Sequence, residues 1–414
     1  MRLPVLVALT AVITLAGCTA PAPAPTASPA PTSVQKPGDG VLSIGTLFPA
    51  TGAAAYIGPA QAAGVALAVA DVNAAGGVSG SPVELVARDS GDAASTTLEA
   101  SFADLVAQDV DVVIGPSSSL LAQRAIALAK TAEITVISPA ATFPDLTTAD
   151  DGGFFFRTIA SYPHQGLALG AALSDPKPAK VAFLYIEDEF GTSLAATLAE
   201  GLKVHGSTLA LSEGIPAGTT DLSIVIDQLK AAAPDVVVLG STYASVDATK
   251  ALITAVIGAG YGGSKLWLTT QNTGDYSQAL PNGTLKDVNG IIEGYQPDDA
   301  FIARLKTIDA TLSTFRYAAE AYDAVILAAL AAVADGDTGA AIAAGLPDVS
   351  VGGVKCGSFA ECLSALETGQ DIDYDGVSGP LNFTPVGDVS PASYGIYTYD
   401  GENRFVFGRG VLAG

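Results

Sequence analysis

Short apolar stretches alternate along most of the chain with longer stretches in which apolar residues recur at helical spacing. The short stretches predict buried strands and the longer ones predict helices. Predicted strands cover residues 41–47, 83–88, 111–114, 135–138, 154–159, 181–185, 208–213, 236–239 and 266–269. Predicted helices cover residues 60–74, 95–107, 120–131, 190–205, 222–232, 245–257 and 317–334, and another starts near Tyr162. Such regular alternation predicts right-handed βαβ units, so the expected class is α/β with two parallel sheets.

Two neighbouring predicted strands end in small, hydroxyl-bearing loops. The first leads into Ser117-Ser118-Ser119 and the second into Ser138-Pro139-Ala140-Ala141-Thr142. The carboxyl ends of parallel strands meet at one edge of a sheet, where open α/β proteins bind their ligands. The serines also precede a predicted helix, whose first backbone N–H groups and dipole favour an anion.

These loops have two interpretations. With no lysine or arginine close in sequence, one interpretation is a carboxylate site built from hydroxyls and main-chain donors. The other is that residues 117–119 only cap the helix, which serine does well without a ligand. The loop sequence by itself favours neither.

The N-terminus predicts export. Met1-Arg2 precedes an apolar run over residues 3–15 that is too short to span a bilayer comfortably and has the form of a signal peptide. The run closes with Leu15-Ala16-Gly17-Cys18, which resembles the bacterial lipobox, so residues 1–18 are the predicted signal and Cys18 the lipidated residue. Residues 19–40 are rich in Pro, Ala, Thr and Ser and predict a tether without a core.

Composition narrows the expected partners. The 414 residues carry a formal net charge of −23, which argues against nucleic acid and against a polybasic membrane face. Beyond Cys18 only Cys356 and Cys362 remain, and their proximity in an exported chain predicts a disulfide. His164 and His205 show no zinc-ligand spacing. The chain is longer than one hydrophobic core usually holds, so two lobes are expected.

Three further patterns favour structural interpretations. Residues 258–263 fit the dinucleotide motif G-x-G-x-x-G but follow a predicted helix and precede a strand, the reverse of the required order. Asp371, Asp373 and Asp375 resemble half of a calcium loop, but Asn382 stands where a bidentate glutamate is needed, so a solvated turn is expected. The acidic run at residues 187–189 suits a helix N-terminus. No catalytic triad can be assembled, so neither an enzyme nor a cofactor is expected.

Several motifs stand in a fixed order along the body. They are Val41-Leu42-Ser43-Ile44-Gly45, Pro49-Ala50-Thr51-Gly52, residues 71–80, Ile114-Gly115-Pro116, residues 138–142, Gly379-Pro380-Leu381-Asn382-Phe383 and a hairpin predicted at 394–399 and 405–411. Together they resemble the type I solute-binding proteins of ABC importers, most of all the leucine/isoleucine/valine-binding branch. The resemblance implies two Rossmann-like lobes with parallel sheets joined by three crossovers. Lobe 1 would comprise residues 41–159 and 298–375, and lobe 2 residues 160–297 and 376–414.

In lobe 1 the resemblance implies ligand contacts at the two hydroxyl loops. Ser119 matches the family serine whose hydroxyl binds the ligand carboxylate. Thr142 matches the threonine that offers a hydroxyl and an N–H, and Ala140 matches the residue whose carbonyl accepts from the ligand ammonium. Ser118 and Ala141 complete this predicted half of the site.

Elsewhere the sequence departs from the family pattern. Phe190 stands where the branched-chain binders carry a tyrosine. The aromatic ring that would line the site is kept, but the tyrosine hydroxyl is missing. Gln271 falls at the position of a glutamate that pairs with the ligand ammonium, and a neutral amide gives up about 1–2 kcal/mol of charge-assisted bonding. Tyr56 stands one place before the usual aromatic residue of the first loop. Thr242 and Tyr243 lie in the matching loop of lobe 2, and either could face the cleft.

The resemblance implies an extracytoplasmic receptor, lipid-anchored to the outer face of a bacterial cell membrane, that presents a small solute to an ABC permease. The expected solute carries a carboxylate and is a branched-chain or related amino acid, captured by hinge closure of a monomer. The change at Gln271 leaves open a solute without an ammonium, such as an amide, urea or aromatic acid. A sensory or adhesion ectodomain is the other alternative.

Overall fold

The computed structural model describes residues 38–241 and 246–413, which form two α/β lobes. The predicted signal peptide, the predicted lipidation site Cys18, most of the predicted tether and the candidate residues Thr242 and Tyr243 lie outside the described residues. Each lobe has a sheet of mainly parallel strands with helices against it, so the α/β class predicted from the sequence is confirmed.

The first segment of the chain forms the sheet of lobe 1, whose five parallel strands have the order β2-β1-β3-β4-β5. The strands are β1 (Ser43–Phe48), β2 (Glu84–Asp89), β3 (Val112–Ile114), β4 (Thr135–Ser138) and β5 (Phe155–Arg157). The helices between them are α1 (Gly58–Ala74), α2 (Thr97–Ala107) and α3 (Ser119–Ala132). Apolar clusters lie on both faces of this sheet, which is why the central strand β3 is apolar throughout.

The second segment forms most of lobe 2. Its elements are α4 (Tyr162–Leu173), β6 (Lys180–Ile186), α5 (Glu189–Val204), β7 (Thr208–Ile215), α6 (Ser223–Ala232), β8 (Val236–Gly240), α7 (Val246–Gly258), β9 (Leu266–Leu268) and β10 (Asn289–Glu293). α7 ends at Gly258, and Gly260 has a φ of +94°, so the dinucleotide-like stretch ends a helix as expected. The acidic run also behaves as predicted, because Asp188 caps α5 by accepting from the N–H of Gly191.

The third segment returns to lobe 1 and the last completes lobe 2. Their elements are α8 (Asp299–Ile308), α9 (Ala318–Asp335), α10 (Gly339–Asp348), β11 (Val354–Cys356), α11 (Phe359–Glu367), β12 (Ile372–Gly376), β13 (Gly379–Pro380), β14 (Ala392–Tyr399) and β15 (Phe405–Ala413). β14 and β15 form the predicted hairpin, and the sheet of lobe 2 has the order β15-β14-β10-β9-β8-β6-β7. Within the described ranges no single helix is long and apolar enough to cross a membrane; α9 and α10 meet that criterion only jointly and are bent by 102°.

The chain passes between the lobes three times, as the resemblance implied. The first crossover joins β5 to α4, the second joins β10 to α8, and the third joins β13 to β14. The residue boundaries given above for the two lobes stay predictions. Phe383 lies after the predicted boundary at residue 375, yet its ring packs against Phe156 in the core of lobe 1, with centroids 5.2 Å apart.

The solvated turn predicted at residues 371–376 is wrong. Asp373 and Asp375 lie in β12, where Lys355 of the neighbouring β11 pairs with them at 2.9 and 3.1 Å. Ile372 and Tyr374 alternate with these acids and are fully buried, so burial of one face holds the segment as a strand. Among the described residues no group of acidic, histidine or cysteine side chains could hold a metal ion.

Cys356 and Cys362 form the predicted disulfide, with their Cα atoms 5.3 Å apart. A cross-link that closes so short a loop lowers the conformational entropy of the unfolded chain, which stabilises the folded protein by about 2 kcal/mol. Replacing both cysteines by serine is therefore expected to lower the free energy of unfolding by about 2 kcal/mol in urea titrations. Reductant should reproduce this loss in the wild type and leave the double variant unchanged. An unaltered unfolding midpoint in the double variant would contradict a stabilising role.

Candidate ligand site between the lobes

The two hydroxyl loops meet at the carboxyl edge of the lobe 1 sheet. α3 begins at Ser119, directly after β3, and β4 leads into Thr142. The Oγ of Ser119 accepts hydrogen bonds from the N–H of Thr142 at 2.9 Å and from the N–H of Phe143 at 3.2 Å. Ser119 and Thr142 are both buried. The adjacency of β3 and β4 thus brings together the residues that the sequence singled out.

The serines of the first loop have partners other than the start of α3. Ser118 occupies the N-cap position, but within the described part of the chain its side chain makes no capping hydrogen bond. The hydroxyl of Ser117 donates to Gln61 on α1 at 2.7 Å. The oxygen of Ser119 already accepts two N–H groups, so its own O–H remains to donate to an acceptor. The capping interpretation is therefore not what this loop shows.

Tyr162, the first residue of α4, links the Thr142 loop to lobe 2. Its ring packs against Phe143 and Phe190, with centroids 5.9 and 4.8 Å away. Its hydroxyl accepts from the Nε2 of Gln271 at 2.6 Å and is hydrogen-bonded to the Thr142 side chain. Burial raises the pKa of Tyr162, because a phenolate would lose its hydration here. The neutral phenol thereby joins two predicted lobe 2 positions to the predicted lobe 1 loop.

The remaining lobe 1 candidates differ in exposure. Ala140 and Ala141 are buried, and the N–H of Ala141 donates to the Oγ of Ser138 at 3.0 Å. Tyr56 lies in the turn before α1 and is 58% exposed. Sequence reasoning overlooked Tyr162, although it follows the end of a strand just as Thr142 does, and this position is the signal that could have found it.

A buried ion pair beneath the Thr142 loop holds that loop in place. Arg157 ends β5 and donates to the carbonyl oxygens of Ala141 at 3.3 Å and Phe143 at 2.8 Å. Its guanidinium also pairs with Asp388 in the third crossover, with Nη2 and Oδ2 2.9 Å apart. The Arg157 side chain is fully buried and that of Asp388 nearly so. Matched donors and acceptors are what make charges tolerable at this depth, so the pair couples the loop to the crossover.

Sequence comparison assigns the chain to a family. Residues 41–387 match the family model described as periplasmic binding protein. A curated relative, Leu/Ile/Val-binding protein homolog 8 of Brucella abortus, is 32% identical over 209 residues, which are 47% of this chain and 50% of the relative. The chain thus spans about half the length of the curated relatives it matches.

Solved structures of binding proteins share the fold. The branched-chain amino acid transporter substrate binding protein LivJ from Streptococcus pneumoniae, in complex with isoleucine, is 22% identical with a TM-score of 0.63, covering 89% of this chain and 100% of its own. A solute binding protein from R. palustris in complex with benzoate is 18% identical with a TM-score of 0.60, covering 90% and 97%. This protein belongs to the periplasmic binding protein family. The solved neighbours named here are substrate- or solute-binding proteins.

Replacing Arg157 by methionine is expected to lower the free energy of unfolding by about 3–5 kcal/mol, because Asp388 would be left as an uncompensated buried charge. Replacing Arg157 by methionine and Asp388 by leucine together should recover a large part of that loss. The measurement is guanidinium-induced unfolding followed by circular dichroism.

Arg88 provides the matched control. It pairs with Asp104 at the surface, where both side chains are more than a third exposed, so Arg88→Met should cost less than about 1 kcal/mol. Equal losses for the Arg88 and Arg157 variants would contradict a special role for the buried pair.

Proposed function

We propose that this protein captures a small carboxylate-bearing solute, a branched-chain or related amino acid, between its two lobes and presents it to an ABC permease. The observation that carries the proposal is the contact of Ser119 with the Thr142 loop, joined through Tyr162 to Phe190 and Gln271 of lobe 2. Groups from both lobes converge there, as a cleft that closes on a solute requires.

The chemistry of the lobe 1 half suits a carboxylate. The Ser119 oxygen accepts two main-chain N–H groups, which polarise its O–H and strengthen it as a donor to an anion. The same O–H lies at the first turn of α3, where the helix dipole favours negative charge. A hydrogen bond to a charged acceptor contributes about 1.5–3 kcal/mol. These groups would hold a carboxylate by oriented dipoles without a cationic side chain.

Closure would be a hinge motion of lobe 2 against lobe 1. The first crossover enters lobe 2 at Tyr162, whose main-chain N–H donates to the carbonyl of Thr142 at 2.9 Å. A solute that contacts the loop of Thr142 and also Phe190 or Gln271 binds the closed form better than the open one. Binding would therefore shift the population towards closure.

The proposed setting is outside the cytoplasm, with the chain acting as a monomer. The lipobox at Leu15-Ala16-Gly17-Cys18 supports lipid attachment through Cys18, and the composition of residues 19–40 supports a tether between anchor and body. The Brucella and Streptococcus relatives named above support a branched-chain amino acid as the solute and a transporter as the partner.

A second candidate solute is an aromatic acid without an ammonium group. The neutral Gln271 and the rings of Phe143, Tyr162 and Phe190 favour it, and the similar R. palustris protein was solved with benzoate. Replacing Gln271 by glutamate should weaken binding of benzoate through charge repulsion and should strengthen binding of an amino acid. The two candidates thus respond in opposite directions to one substitution.

Ser119→Ala is expected to reduce affinity for the bound carboxylate by about tenfold to a hundredfold, since it removes a charge-assisted hydrogen bond. The measurement is calorimetric titration with the standard amino acids and simple organic acids. Ser364, an exposed serine of α11, offers the matched control, and Ser364→Ala should leave affinity unchanged. Thermal unfolding of both variants shows whether the fold is kept. No binding of any carboxylate, or unchanged affinity in Ser119→Ala, would count against the proposal.

A further inference from the structure

A cavity of about 760 Å³ lies between the second crossover, the start of α9 and the closing hairpin. Its wall includes Glu293 from lobe 2, Glu320 and Tyr317 from the α9 side, and Tyr397 of β14. Both lobes therefore contribute to it, as they do to the Ser119 site.

The cavity lies at the edge of lobe 2 that carries Gln271. Glu293 is the last residue of β10, which runs parallel to β9, and β9 leads into Gln271. The carboxyl ends of these two strands therefore meet at one edge. Tyr162 interacts with residues at both places. Its hydroxyl accepts a hydrogen bond from Gln271. Burial is the largest cause of its raised pKa, and the charges of Glu293 and Tyr317 raise that pKa further.

One oxygen of the Glu293 carboxylate has no hydrogen-bond partner. The residue is 4% exposed, and its carboxylate is hydrogen-bonded to the Thr270 side chain. Its Oε1 accepts from the Nε2 of Gln165 at 3.5 Å, and its Oε2 is buried without a partner among the described residues. Leaving a buried charged oxygen unpaired is costly, so such an atom indicates a donor that arrives with a ligand. Glu293 lines the cavity, which is where that donor would enter.

The surroundings of Glu293 favour a cation. The side chains lining the cavity include four carboxylates, those of Glu293, Asp298, Asp299 and Glu320, against the single guanidinium of Arg316. Burial raises the pKa of Glu293 to about 7 and that of Glu320 to about 8, while Arg316 acts to lower both. A cation entering the cavity would offset this unfavourable burial of negative charge. The tyrosine rings in the wall can also attract an ammonium.

We propose that Glu293 binds an ammonium group of the solute, the role that the neutral Gln271 cannot fill. The inference rests on the proposed function, because it assigns the second charged group of the same zwitterionic solute. Ser119 and the Thr142 loop would bind the carboxylate, Glu293 would bind the ammonium, and Tyr162 lies between them. The α-ammonium of an amino acid and a distal ammonium on a longer chain are the two sources of this chemistry.

Two pairs of probes test this assignment by calorimetry on the full chain. L-leucine and 4-methylpentanoate differ only in the α-ammonium, and 6-aminohexanoate and hexanoate differ only in a distal ammonium. In the wild type, one amine is expected to bind at least about tenfold more tightly than its deaminated partner, and Glu293→Gln should abolish most of that preference while leaving the deaminated acid unaffected. The pair that responds identifies the source of the ammonium.

Two control variants distinguish a specific contact between Glu293 and the ammonium from a general electrostatic attraction by the other carboxylates. Glu200 is exposed on α5 of the same lobe, so Glu200→Gln should keep the preference for the amine. Glu320→Gln removes a carboxylate from the same cavity and should reduce the preference less than Glu293→Gln. An equal reduction in both cavity variants would overturn the assignment to Glu293.

The pH dependence provides a second readout. An ammonium favours the ionised form of Glu293, so binding of the amine should release protons near pH 7, and affinity should fall as the pH is lowered through about 7. The other titratable or charged groups on the neighbouring elements are Tyr162, His164, Tyr295, Asp298, Asp299, Arg316, Tyr317, Glu320, Asp323, Tyr394 and Tyr397. In Glu320→Gln the affinity for the amine should still fall as the pH is lowered through about 7. In Glu293→Gln this pH dependence should be lost.

The outcomes distinguish this inference from the proposed function. A wild type that binds carboxylates without preferring either amine, or a preference that survives Glu293→Gln, overturns the ammonium assignment alone. Binding of none of the four probes, of the standard amino acids or of simple organic acids overturns both. Loss of the preference in Glu293→Gln, together with the tenfold to hundredfold loss of carboxylate affinity expected for Ser119→Ala, supports both.

Discussion

One buried helix, α9, lies next to segments at all three crossings of the chain between the lobes. Beside the first crossover, the hydroxyl of Thr158 donates to the carbonyl of Glu320 at 2.8 Å. In the second, Gly294 passes so close to Glu320 that an added Cβ would collide with its carboxylate oxygen. Directly before β13, which leads into the third crossover, Ser378 donates to the carboxylate of Asp323 through its N–H at 2.8 Å and its hydroxyl at 2.6 Å. Polar contacts to a single element of lobe 1 therefore hold the first crossover and the segment that leads into the third.

Charged anchors of this kind hold a backbone in a defined orientation, which apolar contacts alone cannot do. Asp323 also accepts from Val377 and from the Tyr374 hydroxyl, and these hydrogen bonds counter the burial that raises its pKa to about 6. Arg157 and Asp388 act in the same way farther along the third crossover. These contacts tie the Thr142 loop, the proposed carboxylate half of the site, to the core of lobe 1 and to the third crossover.

The alternation of apolar and amphipathic stretches was sufficient to predict the elements of the first sheet, with bounds within two residues of those observed. It failed where a short element carries mixed signals, as at β12. Asp373 and Asp375 in this strand, with Asp371 just before it, suggest a turn, but Lys355 on the neighbouring strand pairs with Asp373 and Asp375. The contact between Ser119 and Thr142 could be predicted, because both residues follow the carboxyl ends of neighbouring parallel strands. The ion pair that supports the Thr142 loop could not be predicted, because Arg157 and Asp388 are 231 residues apart in the sequence.

Three buried carboxylates, those of Asp388, Asp323 and Glu293, differ in how completely they are paired. Asp388 has a guanidinium and Asp323 has four donors, all supplied by the chain, and both hold permanent contacts of the hinge. Glu293 has the side chains of Thr270 and Gln165 as partners, and its Oε2, beside a cavity, has no partner among the described residues. A fixed contact stabilises the fold best when its donors belong to the protein. A group that must bind and release a solute keeps part of its bonding capacity unused in the free protein, and Glu293 has the incomplete pairing that this role requires.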